Sequence, residues 1–226
     1  MKAYFIPGLA ADKRVFRHIQ LPGNFTPVFL EWIAPIKDET LPQYAYRLAE
    51  QIEINEPFII IGLSFGGMLA VEIAKKYPAG QLILIASIPS HQHLPGYYRA
   101  AYRIGLHHII GVNLIKKAVY FKRYFTSESQ EDKKMIREMA RDMDPRFIRW
   151  AIKAIVEWET DDRELVTHHI HGTRDIILPL SFTKAEYTIR GAGHLMIFNR
   201  ADEINSILHS LLNQHSISAK YPTTSL

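Results

Sequence analysis

The stretch Phe58-Ile59-Ile60-Ile61-Gly62-Leu63-Ser64-Phe65-Gly66-Gly67 decides how this chain is read. Its first six residues form an apolar run of strand length, and the consecutive isoleucines suit a strand covered on both faces. Beyond it, Met68, Leu69, Ile73 and Tyr77 recur at helical spacing until Pro78. The serine is therefore the centre of a G-x-S-x-G set between a strand and a helix. A sharp turn of that kind holds the serine in strained backbone geometry, and the glycines on either side relieve crowding. It lifts the hydroxyl to the carboxyl end of the strand. The Phe65 N–H, at the start of the helix, then faces any developing oxyanion and is strengthened by the helix dipole. The bland alternative is a glycine-rich turn in which Ser64 only caps the helix; the strand-turn-helix setting favours a nucleophile.

Working outward, short apolar runs alternate with amphipathic stretches. Residues 3–6 read as a strand stopped by Pro7-Gly8, and Asp12 as the cap of a short helix bearing Val15, Phe16 and Ile19. Residues 28–32 read as a second strand. Leu41, Tyr44, Leu48 and Ile52 mark a helix that ends before Pro57, and residues 82–86 are a fourth strand. This alternation predicts an α/β fold, a mostly parallel doubly wound sheet with helices on both faces. From residue 88 to 164 only helical periodicity appears, as in Met135, Met139 and Met143, then Phe147, Trp150, Ala151, Ile155 and Trp158. Strands return at 165–171 and 185–189, a last helix spans 201–213, and the polar tail 214–226 is expected to fray. The chain thus divides into a core, 1–87 with 165–226, and a helical insertion, 88–164.

Composition narrows the function. With 226 residues, 47% hydrophobic and 22% charged, the chain is long enough for one sizeable core. Lys and Arg number 27 against 23 Asp and Glu, and the resulting +4 is too small to point to nucleic acid. The absence of cysteine removes disulfides, thiol nucleophiles and Cys-ligated metals, and suits a reducing compartment. No apolar run approaches the ~20 residues of a membrane span, and Met1 to Pro7 has no adequate apolar segment for a signal peptide. The expectation is a cytoplasmic protein without integral membrane association. No metal ligand set is visible, and Gly62 to Gly67 lacks the Lys-Ser/Thr of a phosphate loop.

A serine hydroxyl needs a base to take its proton. Of the eleven histidines, His194 stands in Gly191-Ala192-Gly193-His194, after the last strand and before the last helix, where a side chain can fold over the sheet end. His168, His169 and His171 cluster in the preceding strand, where alternation makes at least one of them a packed or edge residue. His91, His93, His107 and His108 lie in the insertion. The acid that orients the imidazole is placed at Asp175, in Gly172-Thr173-Arg174-Asp175, rather than at Asp161 or Asp162 in a charged run. A turn aspartate bonding its own backbone is the plain alternative. The order Ser64, Asp175, His194 is the one expected on this scaffold. A second oxyanion donor is expected from Pro7-Gly8-Leu9-Ala10, with Gly8 permitting close approach and the Leu9 N–H donating.

In this order the residues resemble the α/β-hydrolase superfamily across most of the chain. Ile6-Pro7-Gly8 matches its oxyanion loop, Gly62 to Gly66 its nucleophile elbow, Gly172 to Asp175 its acid turn and Gly193-His194 its histidine loop; the insertion corresponds to its helical cap. The resemblance implies acyl transfer through a Ser64 ester on a small ester or thioester, with no cofactor and no metal. Two departures stand out. Relatives usually begin with two more strands, so this sheet is trimmed, which exposes an edge and makes a homodimer a candidate assembly. Many relatives also carry His-Gly where this chain has Pro7-Gly8. A serine nucleophile in place of Asp argues against the haloalkane dehalogenase and epoxide hydrolase branches. A lyase using Ser64 and His194 for proton transfer and a ligand-binding receptor are the alternatives on the same fold. The insertion interleaves Arg99, Arg103, Lys116, Lys117, Lys122 and Arg123 with aromatics and has no acidic residue from 89 to 127. This suits an anionic or amphipathic substrate or a membrane surface, but a solvated helix face is the ordinary reading.

Overall fold

A computed structural model describes residues 1–104, 129–160, 165 and 167–220, with side chains up to residue 213. The strands are β1 (Lys2–Ile6), β2 (Thr26–Phe29), β3 (Phe58–Leu63), β4 (Gln81–Ile85), β5 (Thr167–Gly172) and β6 (Tyr187–Ile189). They form one parallel sheet in the order β2-β1-β3-β4-β5-β6. After β1 the chain steps outward to β2, then crosses back over β1 to β3. Between β1 and β3 the winding reverses, and ligands in such sheets bind outside the strand ends at that point.

Alternation within the central strands builds two cores. Ile60 faces one side with Tyr4, Ile6, Leu82 and Leu84, beneath helices α1 (Leu41–Leu48) and α2 (Phe65–Lys76). Ile59 and Ile61 face the other side with Phe5, Ile83 and Ile170, beneath α6 (Met196–Asn199) and α7 (Ala201–Lys220). The consecutive isoleucines are each buried because each has a core to enter. Helix α1 begins with a reciprocal cap: Thr40 Oγ1 accepts from the Gln43 N–H, and Gln43 Oε1 accepts from the Thr40 N–H.

Several boundaries differ from the sequence reading by a residue or two, and two differ by more. The second strand ends at Phe29 rather than 32. After the Leu30 N–H donates to Phe5 O the chain leaves the sheet, and Trp32 turns to donate from Nε1 to Ala11 O, 2.7 Å away. Helix α7 continues to Lys220, past the expected frayed end, with no Gly or Pro interrupting it before Pro222. At the β2 edge, Thr26 and Leu30 donate toward β1, so in a parallel ladder Pro27 faces outward, where it has no N–H to offer. The exposed edge is thereby blunted against pairing with a second copy.

Between β4 and β5 the described residues form only helices and turns, including α3 (Gly96–Arg103), α4 (Gln130–Asp142) and α5 (Pro145–Val156). His107, His108, Asp161, Asp162 and Lys116 to Arg123 lie outside the described residues. Helix α5 is amphipathic and buries Phe147, Ile148, Ala151 and Ala154. Beyond its end, fully buried Trp158 donates from Nε1 to Glu72 Oε1 of α2 at 2.9 Å. Trp158→Phe keeps an aromatic ring in place but leaves a small cavity and strips a buried acceptor of its donor. It should cost about 1–3 kcal/mol in urea unfolding, whereas Trp158→Phe with Glu72→Leu should recover part of that loss.

Candidate active site

Ser64 joins β3 to α2 with φ 51° and ψ −119°, in the left-handed half of backbone space. Its N–H donates to Ile85 O at 3.0 Å, and its carbonyl accepts from the Gly67 N–H at 2.9 Å and from Ser87 Oγ at 2.7 Å. The neighbouring glycines are required by space. A Cβ at Gly62 would overlap Gly67, and one at Gly66 would overlap the carbonyl oxygens of Ile6 and Pro7. The tight turn thus brings the loop after β1 against the serine, with Gly8 close enough that an added Cβ would lie 3.4 Å from Ser64 Cβ. The Ser64 side chain makes no capping bond to α2.

Instead, Ser64 Oγ lies 2.9 Å from His194 Nε2, and His194 Nδ1 lies 2.7 Å from Asp175 Oδ2. Two turns hold that geometry. Arg174 N–H donates to Ala192 O at 2.8 Å, and Gly191 N–H donates to Thr173 Oγ1 at 2.8 Å, so the acid turn and the histidine loop are sewn together. The Asp175 side chain is fully buried and divides its oxygens. Oδ1 accepts the N–H groups of Ile177 and Leu178, both at 2.9 Å, which leaves Oδ2 for the imidazole. The turn aspartate and the orienting acid are therefore one geometry. Burial pushes the Asp175 carboxyl up, but the charge and hydrogen bond of His194 and the Leu178 N–H outweigh it and hold it below its ordinary value. An ionised Asp175 can only accept, so His194 Nδ1 carries the proton and Nε2 offers a lone pair to the Ser64 hydroxyl.

Phe65 is buried at the first position of α2, and its ring joins Trp32, Phe147 and Trp150, with centroids 5.8, 6.4 and 6.1 Å away. Leu9 is half-buried against the same cluster. Sequence reading did not single out Ser87, and it gave His169 and His171 no specific role. The i, i+2 alternation in Thr167–Gly172 was the available signal for the two histidines, which share a buried face, while His168 turns out to Glu186 Oε2 at 2.8 Å. His93 Nδ1 pairs with Ser90 Oγ at 2.8 Å. Among the described residues no three His, Asp or Glu side chains gather in a way that could hold a metal ion, and no helix is long and apolar enough to cross a membrane.

The model of the alpha/beta hydrolase family matches residues 4–207. The chain belongs to the α/β-hydrolase family. Membership supports a hydrolase-type function. A thermophilic esterase from Thermogutta terrifontis is similar in structure (TM-score 0.66, 17% identity, 95% of this chain and 90% of that one). So is MenH from S. aureus (TM-score 0.70, 15% identity, 96% and 94%). An epoxide hydrolase from Bacillus megaterium is as similar in shape (TM-score 0.71, 12% identity, 94% and 93%). At these identities the likeness is one of fold, and the site must supply the chemistry. No match was found among curated protein sequences.

Burial, with the nearby charge of His171, pushes His169 down from 6.5 to about 4. Between those values the unfolded chain binds a proton that the folded chain refuses. Stability is therefore complete above the unfolded value and falls as pH drops through this window, by up to about 3 kcal/mol. Urea midpoints at about pH 7 and about pH 4.5 should show the loss. His169→Gln, which cannot titrate there, should reduce it, leaving the part due to His171, which burial also pushes down.

Proposed function

We propose that the protein is a serine hydrolase that cleaves a small ester or thioester through an acyl-enzyme on Ser64. The observation that carries this reading is the unbroken chain from Ser64 Oγ to His194 Nε2 at 2.9 Å and from His194 Nδ1 to Asp175 Oδ2 at 2.7 Å. His194 takes the Ser64 proton as Oγ attacks the acyl carbon, then returns it to the departing alcohol or thiol. Water, giving a proton to the same imidazole, attacks the ester; the acid leaves and Ser64 Oγ recovers the proton. Asp175 keeps Nδ1 protonated and stabilises the imidazolium. The Phe65 and Leu9 N–H groups, with Gly8 permitting close approach, are the donors assigned to the oxyanion. The half-buried side chains of Leu9 and Trp32 offer an apolar wall for the acyl group. No step calls for a cofactor.

The test is fluorophosphonate labelling of wild type beside Ser64→Ala and His194→Ala, followed by turnover of p-nitrophenyl esters of increasing chain length. Wild type should label and turn over, and Ser64→Ala should do neither. Folded but unlabelled wild type would overturn the reading. Proton transfer without an acyl-enzyme would leave no Ser64 adduct in mass spectrometry under single turnover.

Asp175→Asn separates position from charge. Its Oδ1 can still accept from Ile177 and Leu178, so the fold should persist. An amide Nδ2 facing His194 Nδ1 would force the other tautomer and put a proton where the base needs a lone pair. A fall in kcat of about 10³–10⁴-fold is expected, with little change in melting temperature.

A further inference from the structure

His169 and His171 extend the Asp175 side of the site into β5. Both are buried, and their rings stand nearly perpendicular with centroids 5.0 Å apart. Three short contacts join them to their surroundings. His169 Nε2 lies 3.0 Å from His171 Nδ1, His171 Nε2 lies 2.7 Å from Leu178 O, and His169 Nδ1 lies 3.0 Å from Lys184 O. His171 Nε2 is also 3.4 Å from Asp175 Oδ2, the oxygen that accepts from His194.

Two neutral imidazoles carry two protons on four nitrogens, and three contacts compete for them. His171 Nε2 faces a carbonyl and a carboxylate, both acceptors, so it must hold a proton. His171 Nδ1 is then a lone pair, and its partner at 3.0 Å must be a His169 Nε2–H. The nitrogen left without a proton is His169 Nδ1, whose neighbour Lys184 is exposed and the least costly place for a missing bond. Titratable groups facing the pair are Asp175 and His194 on the acid side and His93 from the segment after β4; the Ser87 and Lys184 backbone also reaches His169.

We infer that His169 and His171 are a positioning pair for Asp175, in which His169 Nε2–H holds His171 as the Nε2–H tautomer clamped on Leu178 O and Asp175. Leu178 is gripped from both ends, since its N–H donates to Asp175 Oδ1 and its carbonyl accepts from His171. The opposite tautomer would aim a lone pair at two oxygens and push the acid turn outward. The inference rests on the orienting role proposed for Asp175.

Its first test does not depend on activity. Long-range ¹H–¹⁵N correlation at about pH 7 should show His171 protonated at Nε2 and bare at Nδ1; a proton on His171 Nδ1 overturns the inference. The second test is kinetic. His169→Phe fills the space but removes the donor, and kcat on the best ester should fall about 10-fold with KM unchanged. His169→Gln, which keeps an N–H donor, should restore most of it. Wild-type kcat in folded His169→Phe would overturn the positioning role; should that variant not fold, the wild-type tautomer and the His169→Gln rate decide. An ester series that wild type does not turn over would sink the hydrolase reading instead, and leave the tautomer result standing.

Discussion

The structure depends on holding one serine in a left-handed conformation. For a residue with a side chain that costs on the order of 1–2 kcal/mol, and it persists because both of its own backbone groups are committed. Ile85 O takes the Ser64 N–H; the Gly67 N–H and Ser87 Oγ take its carbonyl. Ser87 in turn follows Ala86, which at φ 47° is strained at the end of the adjacent strand. Two neighbouring strands therefore each lead into a residue with positive φ, and the Ser87 hydroxyl ties one to the other. The tight turn also puts Gly66 under the carbonyls of Ile6 and Pro7, so the loop after β1 cannot drift from the serine.

The insertion is held by interactions of unequal value. Helix α4 meets the segment after β1 partly through charges: Arg14 with Asp142, Arg17 with Glu131, and His18 with Asp132. Most of these groups remain substantially exposed, and such pairs contribute at most about 1 kcal/mol each. Asp132 is the exception, being buried and bonded to Ser129 Oγ at 2.6 Å and His18 Nε2 at 3.0 Å. Helix α4 also buries Met135, Ile136 and Met139 in the core that holds Val15 and Phe16, and helix α5 is held by burial as well. Phe147 and Trp150 enter the aromatic cluster of Trp32, Tyr44 and Phe65, where each ring removes a large apolar area from water. Burial anchors both helices, α5 beside the serine and α4 with Val15 and Phe16, and charge adjusts α4.

Much of this was legible in advance. The isoleucines of β3 announced a strand buried on both faces, and Gly62, Ser64 and Gly66 announced the turn, since few other residue types fit such crowding. The order of Ser64, Asp175 and His194 led to three side chains that the fold does bring within hydrogen-bonding distance. Trp32 was misplaced because propensity extends a strand through an aromatic residue, whereas the ring leaves the sheet for the cluster on α5. His169 and His171 stood in plain view, but their shared face acquires meaning only once Leu178 and Asp175 fold back over β5.

By itself, then, the amino-acid order determined what local chemistry can encode. It set the alternation of strand and helix, the proline and glycine stops, the elbow and the residue types able to serve a serine. Those signals are written over a few consecutive residues through backbone geometry and side-chain period. Only the tertiary structure decided which histidine nitrogen faces which oxygen, how Asp175 divides its two oxygens, and which rings gather around Phe65. Ser64 and His194 are 130 positions apart, and His194 and Asp175 are 19. Contacts across such separations are set by how crossovers pack on a twisted sheet, to a fraction of an ångström that no periodicity carries.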